Sequence, residues 1–303
     1  MTPLHGLTST RLLNTIPFRF MRWRLGIYGA DERTERQIEN TLISCLDHTP
    51  ELDAVVVLGF DGVYDDSGQF DNARTHLFVK NDYVIELCRS HPKFLFGASI
   101  NPLRKDAIAE LERCVKAGAV LLKWLPIVQG FDPSDPRFEA FYEALAHYKL
   151  PLLSHTGGEK SLIRVNDDFA PVRLLEPALK RGVTVIAAHC GTRSTFREAD
   201  YFDEFMQMCR QYENLYGDTA ALNLPPRMHV FDTLLNDPLV SQRIVHGSDW
   251  PIIAFPPARL GIRAGFSLMQ ERNWLRRDVL IKQKLGFSDD YWNRAAKLLR
   301  LAK

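Results

Sequence analysis

The stretch AVVVLGF, Ala54–Phe60, is apolar at every position. Valine and leucine without a polar alternation predict a parallel strand that is covered on both faces. Helical patterns separate it from six further predicted strands, which are Phe94–Ile100, Ala119–Leu125, Leu150–His155, Val183–His189, Leu215–Thr219 and Arg243–His246. Seven alternating units within about 200 residues predict an α/β protein with a (β/α)8 TIM barrel rather than two doubly wound sheets.

One of the eight barrel strands is missing from this count. Its place is at or before the N-terminus, but residues 1–30 contain no clean buried strand; they carry four arginines and no acid before Asp31. Few serines and many large aromatics argue against a targeting peptide. We therefore predict a basic N-terminal segment or insertion at 1–30, near the site or at a subunit contact. We predict that residues 31–303 form a single catalytic barrel, whose first helix Asp31 can cap.

Composition limits the classes of ligand. The chain has 303 residues, and its 38 basic and 37 acidic side chains give a net charge of +1. No overall field therefore favours nucleic acid or an anionic membrane, and a small molecule is the expected ligand. Five cysteines without a CxxC pair fit reduced thiols in a cytoplasm. No stretch reaches the ~18 apolar residues of a membrane helix. A homo-oligomer remains open.

Polar side chains stand at or next to the ends of five predicted strands: Lys123, His155, His189, Asp218 and Asp249. In a barrel these ends form one rim, where active sites lie. Asp249, within HGSDWP (His246–Pro251), is costly to desolvate without a metal, a cation or a catalytic proton. Two histidines and a carboxylate on one rim are the ingredients of a catalytic zinc site with a position for water.

Each of these residues also has a structural interpretation. A histidine at a strand end can bond to loop carbonyls, Lys123 can pair with Asp249, and Asp218 can cap the following turn. The loops beyond the histidines carry small residues that permit close approach of a ligand. They also carry Arg193, Lys160 and Arg164, which either bind a substrate carboxylate or are simply solvated. No GxGxxG or Walker motif indicates a nucleotide.

Several motifs together resemble the amidohydrolase superfamily. They are PLLSHTG (Pro151–Gly157), VIAAHCG (Val185–Gly191), YGDTAA (Tyr216–Ala221), HGSDWP and NRAAKLL (Asn293–Leu299). The chain looks most like the amidohydrolase-2 branch of metal-dependent TIM-barrel hydrolases, which includes aminocarboxymuconate semialdehyde decarboxylase and pyrone dicarboxylate lactonase. The likeness runs from about residue 50 to the C-terminus.

The resemblance implies roles for individual residues. His155 would be a metal ligand, His189 a second ligand or the group that polarises substrate, and Asp249 both metal-associated and the general base. Lys123 matches the place of a lysine that some relatives carboxylate, and we include it as a substrate-binding residue together with Arg193 and Trp250. Family members also carry an HxH pair on their first strand, and no HxH occurs here.

The predicted function is hydrolysis of a small lactone, ester or amide by a water that a divalent metal activates, and Zn²⁺ is the expected metal. Asp249 would take the proton of that water. Non-oxidative decarboxylation of an unsaturated acid is the alternative within catalysis. A barrel that has lost its metal ligands and only binds is the alternative outside it.

Overall fold

A computed structural model describes residues 6–27, 29 and 32–301. Its main sheet is parallel and has seven strands, in the order β2-β4-β5-β6-β7-β8-β9. A short antiparallel pair joins β1 to β3. The strands are β1 Gly6–Thr8, β2 Val55–Leu58, β3 Leu77–Val79, β4 Phe94–Ser99, β5 Leu121–Trp124, β6 Leu152–His155, β7 Val185–Ala188, β8 Leu215–Asp218 and β9 Ile244–Val245.

Helices alternate with the strands of the parallel sheet. They are α1 Thr10–Leu13, α2 Ile16–Arg24, α3 Glu32–Asp47, α4 Asn81–Ser90, α5 Ala107–Lys116, α6 Pro126–Gln129, α7 Glu139–Tyr148, α8 Glu176–Lys180, α9 Phe202–Gln211, α10 Phe231–Asn236, α11 Ile262–Gln270, α12 Trp274–Leu285 and α13 Asp289–Leu298. This succession confirms the α/β class and the TIM-barrel type. In the described chain the parallel sheet stays one strand short, with β2 and β9 at its edges.

Every second side chain along the strands contributes to the apolar core. Alternate strand residues pack against the surrounding helices in one large apolar cluster, among them Leu122, Trp124, Leu152, Ala187, Leu215 and Ile244. Successive strand side chains point to opposite faces, so the residues between them face the barrel interior. Lys123, His155 and Asp218 are in that interior set, and the alternation therefore directs them to one side of the sheet.

Two local predictions need comment. The sequence pattern predicts a single helix near Leu268–Lys282, and this prediction is wrong because the structure has two helices there, α11 and α12. The side-chain Oδ1 of Asn273 accepts the backbone N–H groups of Leu275 and Arg276, which starts α12 and separates it from α11. The predicted helix cap at Asp31 lies outside the described residues, and α3 begins at Glu32.

Within the described part of the chain, no helix is both long and apolar enough to cross a bilayer.

Candidate active site at the carboxyl ends of the strands

The structure places the five predicted residues at the same end of the parallel sheet. Lys123, His155 and Asp218 lie in the last two positions of β5, β6 and β8. His189 follows β7 directly, and Asp249 lies four residues beyond β9. Since parallel strands point the same way, all five belong to one rim.

The two histidines are neighbours. The centroids of the His155 and His189 rings are 4.9 Å apart, and the rings meet edge to face. Both side chains are buried. Burial, with the positive charges of Lys123 and Arg227, holds both imidazole pKa values well below their ordinary range, so both rings are neutral near pH 7.

Hydrogen bonding distinguishes the two rings. Nδ1 of His189 lies 2.7 Å from the carbonyl oxygen of Ala220, to which it donates its proton, and Nε2 is left as an acceptor. Nε2 of His155 is buried without a hydrogen-bond partner among the described residues, and its nearest carboxylate oxygen, Oε2 of Glu159, is 4.0 Å away. The site therefore offers two neutral imidazoles with available ring nitrogens.

Asp218 organises the backbone beside this pair. Its Oδ1 accepts the N–H of His189 at 2.7 Å and the N–H of Ala220 at 3.0 Å. Burial raises the pKa of its carboxyl, while the bond from His189 lowers it. The bond to Ala220 is the turn-capping role that the sequence allowed. Asp218 thus positions both His189 and the carbonyl that orients the His189 ring.

Asp249 differs from its neighbours because the residue is exposed to solvent. Desolvation by the surrounding protein raises the pKa of its carboxyl, whereas the positive charges of Arg227 and Lys123 lower it. Its φ of 58° lies in the left-handed region, as does the φ of 61° at His189. Residues other than glycine adopt this region at a cost, and such strain concentrates at functional sites.

Lys123 is 8 % exposed, and its amine makes no hydrogen bond or ion pair with another described residue. Burial lowers the pKa of its amine, and the charges of Asp218, Asp249 and Glu159 raise it. The interpretation of Lys123 as a close ion-pair partner of Asp249 therefore receives no support. The Lys123 amine therefore interacts electrostatically with three carboxylates and has no hydrogen-bonded partner among the described residues.

Sequence reasoning missed Arg227. Its side chain is 3 % exposed, and its Nη2 donates to the carbonyl oxygen of Gly158 at 2.9 Å. Its Nε and Nη1 are buried without a partner among the described residues. Asp249 is the acid that acts on its pKa most strongly, followed by Glu159. Arg227 follows two prolines in a loop, and no local pattern marks it as a site residue.

Glu159 is the second residue that the sequence analysis missed. Its Oε1 accepts the N–H of Leu162 at 2.9 Å, which fixes the loop after β6. Burial and the nearby charge of Asp249 raise the pKa of its carboxyl. The sequence did carry one signal for Glu159, which is its position four residues after His155. The loop after β6 returns to the end of that strand, so the two side chains lie 4.0 Å apart.

The small residues after the two histidines have a packing function. A side chain at Gly157 would come within 2.2 Å of the carbonyl oxygen of Thr192, and its φ is 78°. The N–H of Gly158 donates to the same oxygen at 3.1 Å. These glycines allow the loops after β6 and β7 to touch. Close approach of a ligand to this backbone stays a prediction.

The predicted substrate contacts lie in different surroundings. Nε of Arg193 donates to the carbonyl oxygen of Pro226 at 3.4 Å and lies 3.6 Å from Oδ2 of Asp200. Arg164 pairs with Asp167 and Glu198. Lys160 is exposed.

Trp250 packs against an apolar cluster that includes Leu46, Phe94 and Leu275. Substrate binding by Arg193 and by Trp250 stays a prediction.

The donor set does not complete a zinc site. Among the described residues, no group of three or more histidine, cysteine, aspartate or glutamate side chains is placed to hold a metal ion. The structure thus brings His155 and His189 together without assembling the predicted set with Asp249. Lys123 and Arg227 add positive charge to the same region, which opposes a divalent cation. His5 lies outside the described residues.

The family model described as Amidohydrolase matches residues 42–268. The chain belongs to the amidohydrolase family, in its amidohydrolase-2 branch. No curated protein matches this amidohydrolase chain.

Solved structures share the fold. An uncharacterized TIM-barrel protein of Bordetella bronchiseptica is 16 % identical over 94 % of this chain and 90 % of its own, with a TM-score of 0.63. A structure described as a 2-pyrone-4,6-dicarboxylic acid hydrolase of Pseudomonas putida is 15 % identical over 100 % of both chains, with a TM-score of 0.57. A dihydroxybenzoic acid decarboxylase of Polaromonas, with bound manganese and an inhibitor, is 14 % identical over 98 % and 95 %, with a TM-score of 0.55.

Proposed function

We propose that this amidohydrolase hydrolyses a lactone, ester or amide in a small substrate that carries a carboxylate. The observation that supports the proposal is Arg227, a buried guanidinium with two unpartnered nitrogens close to the histidine pair. Each buried donor without a partner costs about 1–3 kcal/mol. A substrate carboxylate removes this cost by accepting from the free N–H groups, and it adds a charge-assisted hydrogen bond.

Asp249 is the proposed general base. It is accessible to water, and its raised pKa makes its carboxylate a stronger base than an ordinary aspartate. It takes a proton from a water molecule whose oxygen attacks the substrate carbonyl. Nε2 of neutral His189 orients this water as a hydrogen-bond acceptor. Asp249 then gives the proton to the departing oxygen or nitrogen.

Lys123 supplies a positive charge beside the carbonyl oxygen of the substrate. The carbonyl oxygen becomes negative when water adds to it, and a buried ammonium near it stabilises that charge more than one in water would. The absence of a fixed partner leaves the Lys123 amine available for this contact. The protein's own side chains carry each step, because the described donors do not complete the predicted zinc site.

The proposal is tested by assaying carboxylate-bearing lactones and esters with the full chain and with Arg227→Met. Hydrolysis is followed by proton release in a pH-stat, and CO₂ is measured in parallel. We expect proton release without CO₂, and a fall of 10²-fold or more in kcat/KM in Arg227→Met, or about 3 kcal/mol. CO₂ as the product would show decarboxylation instead.

Two controls make the result specific. Arg173→Met removes an exposed arginine that pairs with Glu204, and it should leave kcat/KM unchanged. For Arg227→Met, neutral esters of the same substrates should lose much less rate than the free carboxylates. Equal losses for charged and neutral substrates would contradict a carboxylate-binding role for Arg227.

A further inference from the structure

The carbonyl group of Pro226 accepts hydrogen bonds from two side chains. Nδ1 of His229 lies 3.1 Å from its oxygen, and Nε of Arg193 donates to the same oxygen at 3.4 Å. Since a carbonyl oxygen only accepts, Nδ1 of His229 carries the proton of the first bond. Pro226 directly precedes Arg227, so both bonds act on the peptide group that leads into the buried guanidinium.

The peptide group between Pro226 and Arg227 is held at both ends. Its N–H, which belongs to Arg227, donates to the carbonyl oxygen of Leu224 at 2.9 Å, and its C=O accepts from the two side chains. A peptide group is planar, so bonds on both sides restrict the direction in which the next Cα presents its side chain. Pro225 and Pro226 have no N–H, so this part of the loop is held through its carbonyl groups.

Asp200 lies beside both donors. Its Oδ2 is 3.2 Å from Nε2 of His229 and 3.6 Å from Nε of Arg193, and it makes no hydrogen bond with a described residue. Its Oδ1 accepts the N–H of Phe202 at 3.0 Å, at the start of α9. Asp200 thus connects the two donors to this helix. We define His229, Arg193 and Asp200 as the Pro226 clamp.

The clamp is part of a connection between three neighbouring loops at the rim. Arg193 belongs to the loop after β7 and bonds to the loop after β8. Arg227 belongs to the loop after β8 and bonds to Gly158 in the loop after β6. The position of the unpartnered Arg227 nitrogens therefore depends on contacts with two other loops.

We propose that His229 and Arg193 are positioning residues that hold Arg227 for the carboxylate of the substrate. The inference rests on the proposed function, in which that carboxylate accepts from Nε and Nη1 of Arg227. An arginine side chain has several rotatable bonds, and a fixed backbone removes part of the entropic cost of orienting it. Loss of the clamp therefore weakens carboxylate binding without removing a group that touches the substrate. Direct contact of Arg193 with the substrate is the competing interpretation.

The first measurement is the affinity of the full chain for benzoate by calorimetry, with neutral benzamide as the comparison. His229→Ala should weaken benzoate binding about fivefold, as expected for one ordinary hydrogen bond, and leave benzamide binding unchanged. His229→Asn keeps a donor near the position of Nδ1 and should regain most of the affinity. His48→Ala is the matched control, because His48 is exposed and its Nδ1 lies 2.8 Å from the carbonyl oxygen of Ser44.

A double-mutant cycle separates positioning from direct contact. Arg193→Met should also weaken benzoate binding about fivefold, and it should have no further effect in the Arg227→Met background. A further loss in the double variant would mean that Arg193 contacts the carboxylate itself, and it would overturn the positioning role of Arg193.

The second measurement is hydrogen exchange of the backbone amides in 224–230. Exchange there should be about fivefold faster in His229→Ala and in Arg193→Met, because the loop opens more readily. Arg210→Met is the control, since Arg210 donates to the carbonyl oxygen of Met206 and pairs with Asp237 in α9 and beyond. Unchanged exchange in both variants would overturn the proposal. Failure of the wild type to bind benzoate would instead contradict the proposed function, and hydrogen exchange would still decide whether the clamp holds the Arg227 loop.

Discussion

The rings of His155 and His189 meet edge to face at 4.9 Å, and both stay neutral because burial and two neighbouring cations oppose protonation. This relationship has a consequence for stability. The unfolded chain protonates its histidines near pH 6.5, whereas these two folded rings do so only at lower pH. Protons therefore favour the unfolded state, and stability falls as pH drops below about 6.5.

We expect His155→Gln to weaken this pH dependence. The measurement is the free energy of unfolding in urea at pH 7.5 and pH 5.5, for the variant and the wild type. Comparison of the two proteins removes the contribution of the carboxyls, whose raised pKa values act in the opposite direction. His147→Gln, at an exposed position, is the control. An unchanged slope in His155→Gln would contradict the explanation.

Asp249→Asn should lower kcat by 10²- to 10⁴-fold, the usual contribution of a general base. In the wild type the rate rises with pH as Asp249 ionises, and its raised pKa puts this limb above the range of an ordinary aspartate. A pH profile of kcat/KM checks both points. Survival of the same acidic limb in Asp249→Asn would assign it to another group.

We expect one side-chain oxygen of Asp218, Oδ1, to contribute to the free energy of unfolding. Asp218→Asn keeps an acceptor for the N–H groups of His189 and Ala220, whereas Asp218→Ala leaves two buried donors unpaired. We expect the alanine variant to be less stable than the asparagine variant by about 2 kcal/mol or more. Urea unfolding of the pair measures the difference, and equal stabilities would show that these bonds contribute little.

The sequence allowed the fold and the positions of five residues on one rim to be predicted, for a physical reason. Strands covered on both faces are apolar throughout, as the fully buried Val185–Ala188 is, and their carboxyl ends converge by topology. Ala54–Phe60 is equally apolar, but its strand lies at an edge of the sheet and is half-buried, so the predicted cover on both faces is wrong there. Lys123 and His155 could therefore be assigned to one rim without distances. Arg227 and Glu159 could not, because each reaches the site from a loop whose path depends on tertiary contacts.

The division between α11 and α12 was missed for a related reason. Leu268 and Leu275 are seven residues apart, which is about two helical turns, so helical spacing alone can run through the polar residues 270–273 between them. The signal was Asn273, a preferred helix-capping residue, which accepts two backbone N–H groups in the structure. The break leaves α11 as a separate helix with an exposed face.

Metal binding should be weak in the protein as described, since no three donors are assembled and two cations lie nearby. Elemental analysis after purification without chelator should find well below one zinc per chain, and zinc should not raise Tm. The control is dialysis against a chelator, which we expect to leave activity and Tm unchanged. One tightly held zinc per chain would mean that ligands outside the described residues complete the site.

A buried ion pair between Lys282 and Asp278 anchors the loop that carries Asp249. Nζ of Lys282 lies 2.6 Å from both Oδ2 of Asp278 and the carbonyl oxygen of Gly247, to which it donates. Nε2 of His246 is 3.1 Å from the same carboxylate oxygen. This network fixes the chain two and three residues before Asp249.

Lys282→Met should lower the free energy of unfolding by about 3–5 kcal/mol, because it leaves the charge of Asp278 buried and unpaired. The double variant Lys282→Met/Asp278→Leu removes that charge as well and should regain a large part of the loss. Urea unfolding of the two variants and the wild type measures the coupling. If the double variant is no more stable than Lys282→Met, the cost lies in the lost bond to Gly247 and not in the unpaired carboxylate.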